Sequence, residues 1–250
     1  MNVDLIQKAQ EDEYDFPYHH IAQFKEGFTE CMYDTWGINY VSTIEYILKI
    51  LETQEFTSLL DVGCGDGRLT KEIALRFPDR HIAGVDYSKK ALAFAKAMHP
   101  HGKFYHVNIL HKKLHSKFDL ATLIEVLEHI DPRSQDKFIK ALSALLTENG
   151  TLLLTVPHEN IPLGYKHFRH FTIQSLSDCL KPYFQIVDSV FLEKRSVKKN
   201  IIDTILVNRF FVLNHKRVRN SIYRYFKSTL FFADSEKHCG RIFIKAIKKE

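Results

Sequence analysis

Apolar positions along this chain of 250 residues follow two rhythms. Val41, Ile44, Ile47, Leu48 and Leu51 recur at helical spacing, which predicts a helix before residue 52. From residue 57 onward, short continuous apolar runs alternate with helical ones. Thr57–Val62 reads as a strand, Leu69–Phe77 as a helix ended by Pro78, and His81–Asp86 as a strand. Ser88–Met98 reads as a helix capped by Ser88, and Lys103–Val107 as a strand. Phe118–Val126 reads as a buried strand. Asp131 and Pro132 then occupy N-cap and first-turn positions of a helix reaching Leu146, and Asn149-Gly150 turns into a strand over Thr151–Val156. A short helix over Thr172–Leu180 and strands over Phe184–Phe191 and Arg241–Ile247 complete the pattern. Strands alternating with helices predict an α/β fold, with a mostly parallel sheet of seven strands and helices on both faces.

Two segments break the alternation. Residues 1–56 are expected to form a helical lid or cap, and residues 57–193 the core. Residues 194–235 read as a helical insertion, and 236–250 return as the last strand. The cap carries an aromatic and histidine run, Tyr14-Asp15-Phe16-Pro17-Tyr18-His19-His20, with Trp36-Gly37 beyond it. That run reads either as a contact to a ligand or as aromatic packing against the sheet. The insertion carries Lys194, Arg195, Lys198, Lys199, Arg209, Lys216, Arg217, Arg219, Arg224 and Lys227, interleaved with Phe210, Phe211, Tyr223, Tyr225, Phe226, Phe231 and Phe232.

Composition narrows the classes. With 45% hydrophobic residues the chain can bury a full core, and the net charge of +5 is modest, so its concentration in the insertion matters more. The N-terminal residues lack the pattern of a signal peptide, and no apolar run is long enough to span a bilayer. Cys31, Cys64, Cys179 and Cys239 are scattered without paired spacing, which argues against a disulfide framework and for a cytoplasmic location.

The chemistry begins at Leu59-Leu60-Asp61-Val62-Gly63-Cys64-Gly65-Asp66-Gly67. Alternate glycines after a strand let the backbone turn tightly and approach a ligand. A dinucleotide-binding loop places a glycine at position 68, where this chain has Arg68. An acid directly before the glycines, Asp61, repels a pyrophosphate and suits a cationic ligand with an amino group and a sulfonium. Asp86, at the end of the next strand, is placed to bind two ribose hydroxyls.

The stretch from Leu59 to about Phe191 resembles the class I S-adenosylmethionine (SAM)-dependent methyltransferases, a Rossmann-like fold. It is most similar to the group holding the ubiquinone-biosynthesis O-methyltransferases and many natural-product and surface-glycan methyltransferases. Besides the glycine loop, the resemblance rests on Gly84-Val85-Asp86-Tyr87-Ser88, Glu125-Val126-Leu127-Glu128-His129-Ile130, Gly150–Pro157 and His170-Phe171-Thr172. It implies SAM as cofactor. Asp61 and Gly63 to Gly67, including Cys64 and Gly65, would line its methionine and ribose side, with Asp86 on the ribose. Tyr87 would flank adenine, Asn108 and Ile109 would contact its edge, and Glu125 would lie near the methionine. Asn108 departs from the family, which usually has Asp there.

Ligands in such folds bind at the carboxyl ends of the strands, so Glu125, Glu128 and His129 and then His158, Glu159 and Asn160 are candidates for chemistry. Three readings stay open for Glu128 and His129: a general base with its orienting partner, loop scaffolding, or a divalent metal site. His158 is a further candidate base. The metal reading takes Glu125, Glu128, His129 and His167, a set similar to that of the small-RNA 3′-terminal 2′-O-methyltransferases.

The resemblance implies an enzyme that O-methylates a small molecule or glycan precursor. A metal-assisted RNA 2′-O-methyltransferase and a non-catalytic SAM-binding regulator are the alternatives. The basic insertion reads as helix core through Ile201, Ile202, Ile205, Leu206, Phe210 and Leu213, as a site for an anionic acceptor, or as a membrane or RNA contact, with a solvated basic face as the default. No recognisable RNA-binding module accompanies it.

Overall fold

The computed structural model of the chain describes residues 3–12, 23–24, 28–29, 35–112, 114–208, 210–211, 213 and 215–249. The Tyr14–His20 run, the Trp36 side chain, Cys31 and Arg209 lie outside what is described.

Helix α1 (Val3–Asp12), a two-stranded antiparallel pair β1 (Gln23–Phe24) and β2 (Phe28–Thr29), and helix α2 (Thr35–Leu51) precede the main sheet. Strand β3 (Ser58–Val62) then begins an alternation with α3 (Arg68–Arg76), β4 (His81–Asp86), α4 (Lys89–Met98) and β5 (Lys103–His106). A second half follows with β6 (Phe118–Ile124), α5 (Pro132–Ala144), β7 (Leu146–Pro157), α6 (Ile173–Leu180) and β8 (Phe184–Leu192). Helices α7 (Val197–Leu206) and α8 (Lys216–Tyr225) connect β8 to the last strand, β9 (Arg241–Lys248).

The seven strands lie in the order β5-β4-β3-β6-β7-β9-β8. Strand β9 runs antiparallel between β7 and β8, while the other pairs are parallel, so the sheet is mostly parallel as its apolar runs predict. Connections run outward in opposite directions from β3 and β6, which makes that pair the topological switch point where such sheets bind ligands.

Local chemistry fixes the helix starts. Ser88 Oγ accepts from the Ala91 N–H at 3.1 Å, and Asp131 Oδ1 accepts from the Arg133 N–H at 2.9 Å with Pro132 in the first turn. Thr172 and Ser175 exchange side-chain and backbone hydrogen bonds as a capping box.

The core divides across the sheet. Phe138, Ile139 and Leu142 of α5 and Leu176 and Leu180 of α6 cover one face. Ile44, Ile47 and Leu51 of α2, with Leu69 and Ile73 of α3, cover the other.

Two expectations change. The Asn149-Gly150 turn lies inside β7, which starts at Leu146. Phe118 pairs with Leu146 and Leu120 with Thr151, so residues 147–150 bulge from the ladder and Asn149 takes φ 60°. The insertion is helical, but α7 has no buried residue. Ile201, Ile205 and Phe210, expected in a helix core, are exposed, and Phe226, Leu230 and Phe231 do the packing instead.

Candidate functional site

A cavity of about 520 Å³ opens above the carboxyl ends of β3, β4 and β6. It is lined by Asp61, Gly63, Cys64 and Gly65 from the glycine loop, and by Asp86, Tyr87, Asn108 and Ile109 on the next two strand ends. Glu125, Glu128, His129 and His167 line it as well. Twelve sequence-predicted residues thus share one wall system.

Asp61 is 3% exposed, and each of its oxygens accepts one hydroxyl: Oδ2 from Thr70 Oγ1 and Oδ1 from Thr122 Oγ1, both at 2.7 Å. Burial pushes its pKa up to about 6 against the pull of these hydroxyls. Asp86 accepts from the Gly65 N–H at 2.9 Å and from the Ser88 N–H at 2.8 Å, which ties the glycine loop to the end of β4. Each of its oxygens keeps a second lone pair for a ligand hydroxyl. Burial raises this carboxyl too.

Tyr87 donates from its hydroxyl to Gln10 Oε1 of α1 at 3.2 Å, so the N-terminal helix meets the cavity rim there. Asn108 Oδ1 accepts from the Leu110 N–H at 3.0 Å. Its amide nitrogen is thereby left to donate, where an Asp could only accept.

The glycines divide in role. Gly63 has φ 72° and lines the cavity, and a Cβ there would stand 2.5 Å from Val126 Cγ2. Gly67, predicted to touch the cofactor, does not line the cavity. With φ 76°, a Cβ on it would meet Ala95 Cβ at 2.7 Å and the Phe104 ring at 3.0 Å, so its small size serves the packing of the loop on α4 and β5.

Glu125 takes φ 55°, a strained conformation at the end of β6. Its Oε1 accepts from Thr155 Oγ1 at 2.9 Å and its Oε2 from Arg241 Nε at 3.0 Å. Arg241 also pairs with Glu193. These commitments hold Glu125 outside the metal-type cluster that the sequence assigns it to.

The cluster that does form is Glu128, His129 and His167, with one ligand atom from each and all within 4.8 Å of one another. Glu128 is fully buried, and neither carboxylate oxygen meets a hydrogen-bond donor among the described residues. Burial, followed by the Glu125 carboxylate, raises its pKa well above the ordinary range. His129 Nδ1 donates to the Lys166 carbonyl at 3.0 Å, which leaves the imidazole lone pair on Nε2, 3.8 Å from Glu128 Oε1.

His170 Nδ1 donates to the Ile161 carbonyl at 3.1 Å, so its Nε2 accepts from His167 Nδ1 at 2.8 Å. That places the His167 lone pair on Nε2. Burial and the facing His129 and His170 push the pKa of His167 down to about 3. Glu128, fully buried without a hydrogen-bond donor among the described residues, stands beside two imidazoles held in tautomers suited to ligation. This donor set fits a divalent ion.

His158 does not line the cavity. Its Nδ1 accepts from the Asn160 N–H at 2.9 Å, and its Nε2 donates to Glu236 Oε1 at 3.1 Å. Glu236 Oε1 also accepts from the Ile173 N–H. The ring is committed at both nitrogens to joining residues 158–173 to the end of the insertion.

Sequence reasoning missed the α2 contribution. Asn39, Tyr40 and Thr43 line the cavity beside Asp61 and Gly63. Asn39 is 5% exposed, and its Oδ1 has no donor among the described residues. The polar i, i+4 pair Asn39 and Thr43 on a mostly apolar helix is the signal that marks this wall. Arg241 was missed as well, having been read only as the start of a strand.

Residues 60–152 match the family described as "Methyltransferase domain". Ubiquinone biosynthesis O-methyltransferase from Alkalilimnicola ehrlichii is 29% identical over 132 residues, covering 49% of this chain and 50% of that protein. The chain spans about half the length of the curated relatives it matches. Among solved structures, 1,6-didemethyltoxoflavin-N1-methyltransferase from Burkholderia thailandensis, with bound 1,6-didemethyltoxoflavin and S-adenosylhomocysteine, superposes with TM-score 0.61 at 16% identity. It covers 100% of this chain and 92% of that one. N-methyltransferase NodS from Bradyrhizobium japonicum, in complex with S-adenosylhomocysteine, gives TM-score 0.59 at 15% identity over 85% and 88% of the two chains. Residues 60–152 thus match a methyltransferase domain, and the chain shares the fold of these solved SAM-dependent methyltransferases.

Proposed function

We propose that the chain is a SAM-dependent methyltransferase acting on a hydroxyl of a small molecule. The observation that carries this reading is a single cavity lined by two chemically distinct groups. One group, Asp61, Gly63, Gly65 and Asp86, suits a cationic nucleoside ligand. The other, Glu128, His129 and His167, suits the handling of an acceptor proton. The half-length similarity to ubiquinone O-methyltransferases supports oxygen as the methylated atom.

SAM would supply an electrophilic methyl group for in-line displacement. Asp86 would hold its ribose and Asn39, Asp61 and Gly63 its amino-acid end, with Asn108 donating to the edge of the adenine and Ile109 and Tyr87 against the ring. Helices α1 and α2, whose residues line the cavity, would serve as a lid that excludes water. His129 Nε2 would take the proton of the acceptor hydroxyl while the Lys166 carbonyl keeps its ring oriented. Of the two lining cations, Lys166 and Arg241, Arg241 is already held by Glu125 and Glu193.

A second reading, metal assistance, is favoured by the buried carboxylate of Glu128 beside the two oriented imidazoles. Glu128, His129 and His167 would hold the ion, whose contribution would be to acidify an acceptor hydroxyl.

Mass spectrometry of metabolite and RNA extracts incubated with the enzyme and isotopically labelled SAM tests both readings. Label in a small molecule supports the first proposal, and label confined to RNA replaces it with RNA 2′-O-methylation. Tight cofactor binding with no labelled product would identify a SAM-binding regulator. His129→Ala is expected to lower kcat by about a hundredfold or more while SAM affinity stays within a few-fold. Loss of wild-type activity to a chelator, restored by added divalent ion, would assign His129 as a ligand and not as the base.

A further inference from the structure

Helix α7 has no buried residue. Val197, Ile201 and Ile205 follow at four-residue steps and therefore share a face, and they are 75%, 53% and 39% exposed. Beyond the helix, Val207 and Phe211 are exposed and Phe210 is 93% exposed. Eight of the fifteen exposed large apolar side chains among the described residues fall between Val197 and Phe232, so exposed apolar surface is concentrated in this segment.

The same segment is strongly basic. Between Lys194 and Lys227 ten basic residues accompany a single acid, Asp203. Helix α8 has no buried residue and carries Lys216, Arg217 and Arg224 exposed. The segment is nonetheless anchored: Lys199 pairs with Glu193 and Asp203, Ile202 packs on the core, and Phe226, Leu230 and Phe231 are buried. The exposed apolar face is thus additional to the side chains that hold the insertion in place.

We propose that the face formed by Val197, Ile201 and Ile205, together with Phe210, Phe211 and the basic residues of α8, docks the protein on an anionic lipid surface. Aliphatic and aromatic side chains enter the interface between headgroup and acyl chain, while Lys and Arg meet the negative headgroups. Charge complementarity selects this occupant. A second copy would bring the exposed Lys216, Arg217 and Arg224 of α8, a helix without an acidic residue, onto the same cations. A nucleic acid would leave the Val197–Ile201–Ile205 face without stacking partners. No helix among the described residues is long and apolar enough to cross a membrane, so the contact is one of surface docking.

The test is flotation of the full chain with vesicles of phosphatidylcholine alone or mixed with phosphatidylglycerol. Binding is expected only to the mixed vesicles. Phe210→Ser with Phe211→Ser, and separately Lys216→Glu with Arg217→Glu, should each weaken it by about tenfold or more. Both variants should keep wild-type affinity for S-adenosylhomocysteine, which shows that they are folded. No binding, or equal binding to both vesicle types, would overturn the proposal. A protein that dimerises through Phe210 and Phe211 without lipid would show a self-interface instead. Equal binding of the Phe variant to mixed vesicles, with single-stranded RNA displacing the protein, would show a nucleic-acid surface.

Discussion

His167 donates from Nδ1 to His170 Nε2 across 2.8 Å, and this one bond decides which nitrogen of His167 faces the cavity. The direction is forced, because His170 spends its own proton on the Ile161 carbonyl. His170→Phe removes the acceptor and frees His167 to adopt the other tautomer. In the metal-assisted reading, an outer partner that orients a ligating imidazole is typically worth about 10–100-fold. The expected result is a fall in kcat of about tenfold or more with unchanged SAM affinity, largely recovered by His170→Gln, whose amide oxygen can accept. Equal losses in the Phe and Gln variants would mean that His170 only fills space.

Asn39 Oδ1 is a buried acceptor with no donor among the described residues, in the cavity that Asp61 and Gly63 also line. An ammonium group of the ligand would satisfy it, and a hydrogen bond to a charged group is worth about 1.5–3 kcal/mol. Asn39→Leu should therefore weaken S-adenosylhomocysteine binding by about tenfold or more. Binding of 5′-methylthioadenosine, which lacks the amino-acid portion, should be nearly unaffected. Equal weakening of both ligands would move Asn39 away from the amino-acid end.

Asp61 gives the cofactor site a pH dependence. Its pKa is raised to about 6 by burial, and a cation bound beside it would lower that value. A group with a lower pKa in the complex releases a proton on binding, so acid opposes binding. SAM affinity should be flat just above pH 6 and fall below it, by at most about tenfold per pH unit. Calorimetry between pH 7 and 5 reads this directly, and Asp61→Asn should flatten the profile. A flat profile in the wild type would place the ligand's positive charge elsewhere.

Much of this site is written locally. The glycine loop, Asp86 and Glu125–His129 are short runs at strand ends, and the apolar strands before them are buried enough to be read by composition alone. What escaped the sequence depends on distant partners. Arg241 joins Glu125, 116 residues away, and Glu193, 48 away. His158 sits after a strand as a base would, but its Nε2 donates a hydrogen bond to Glu236, 78 residues on. Asn39 was passed over because α2 was read by its apolar face alone. The insertion misled for a related reason: helical spacing of Ile201 and Ile205 says that they share a face, and nothing in it says whether protein covers that face.

The cofactor assignment stands or falls on Asp86, whose buried carboxylate already holds the Gly65 N–H and Ser88 N–H at the mouth of the glycine loop. Two ribose hydroxyls donating to it form charge-assisted bonds, and losing them costs about 1.5–3 kcal/mol. The measurement is calorimetric titration of SAM into wild type and Asp86→Ala, with thermal unfolding and circular dichroism to show that the variant is folded. One-site binding by the wild type and a loss of about tenfold or more in the variant is the expected result. Equal affinity in a folded variant, or no binding by the wild type, would contradict the assignment of this cavity to SAM.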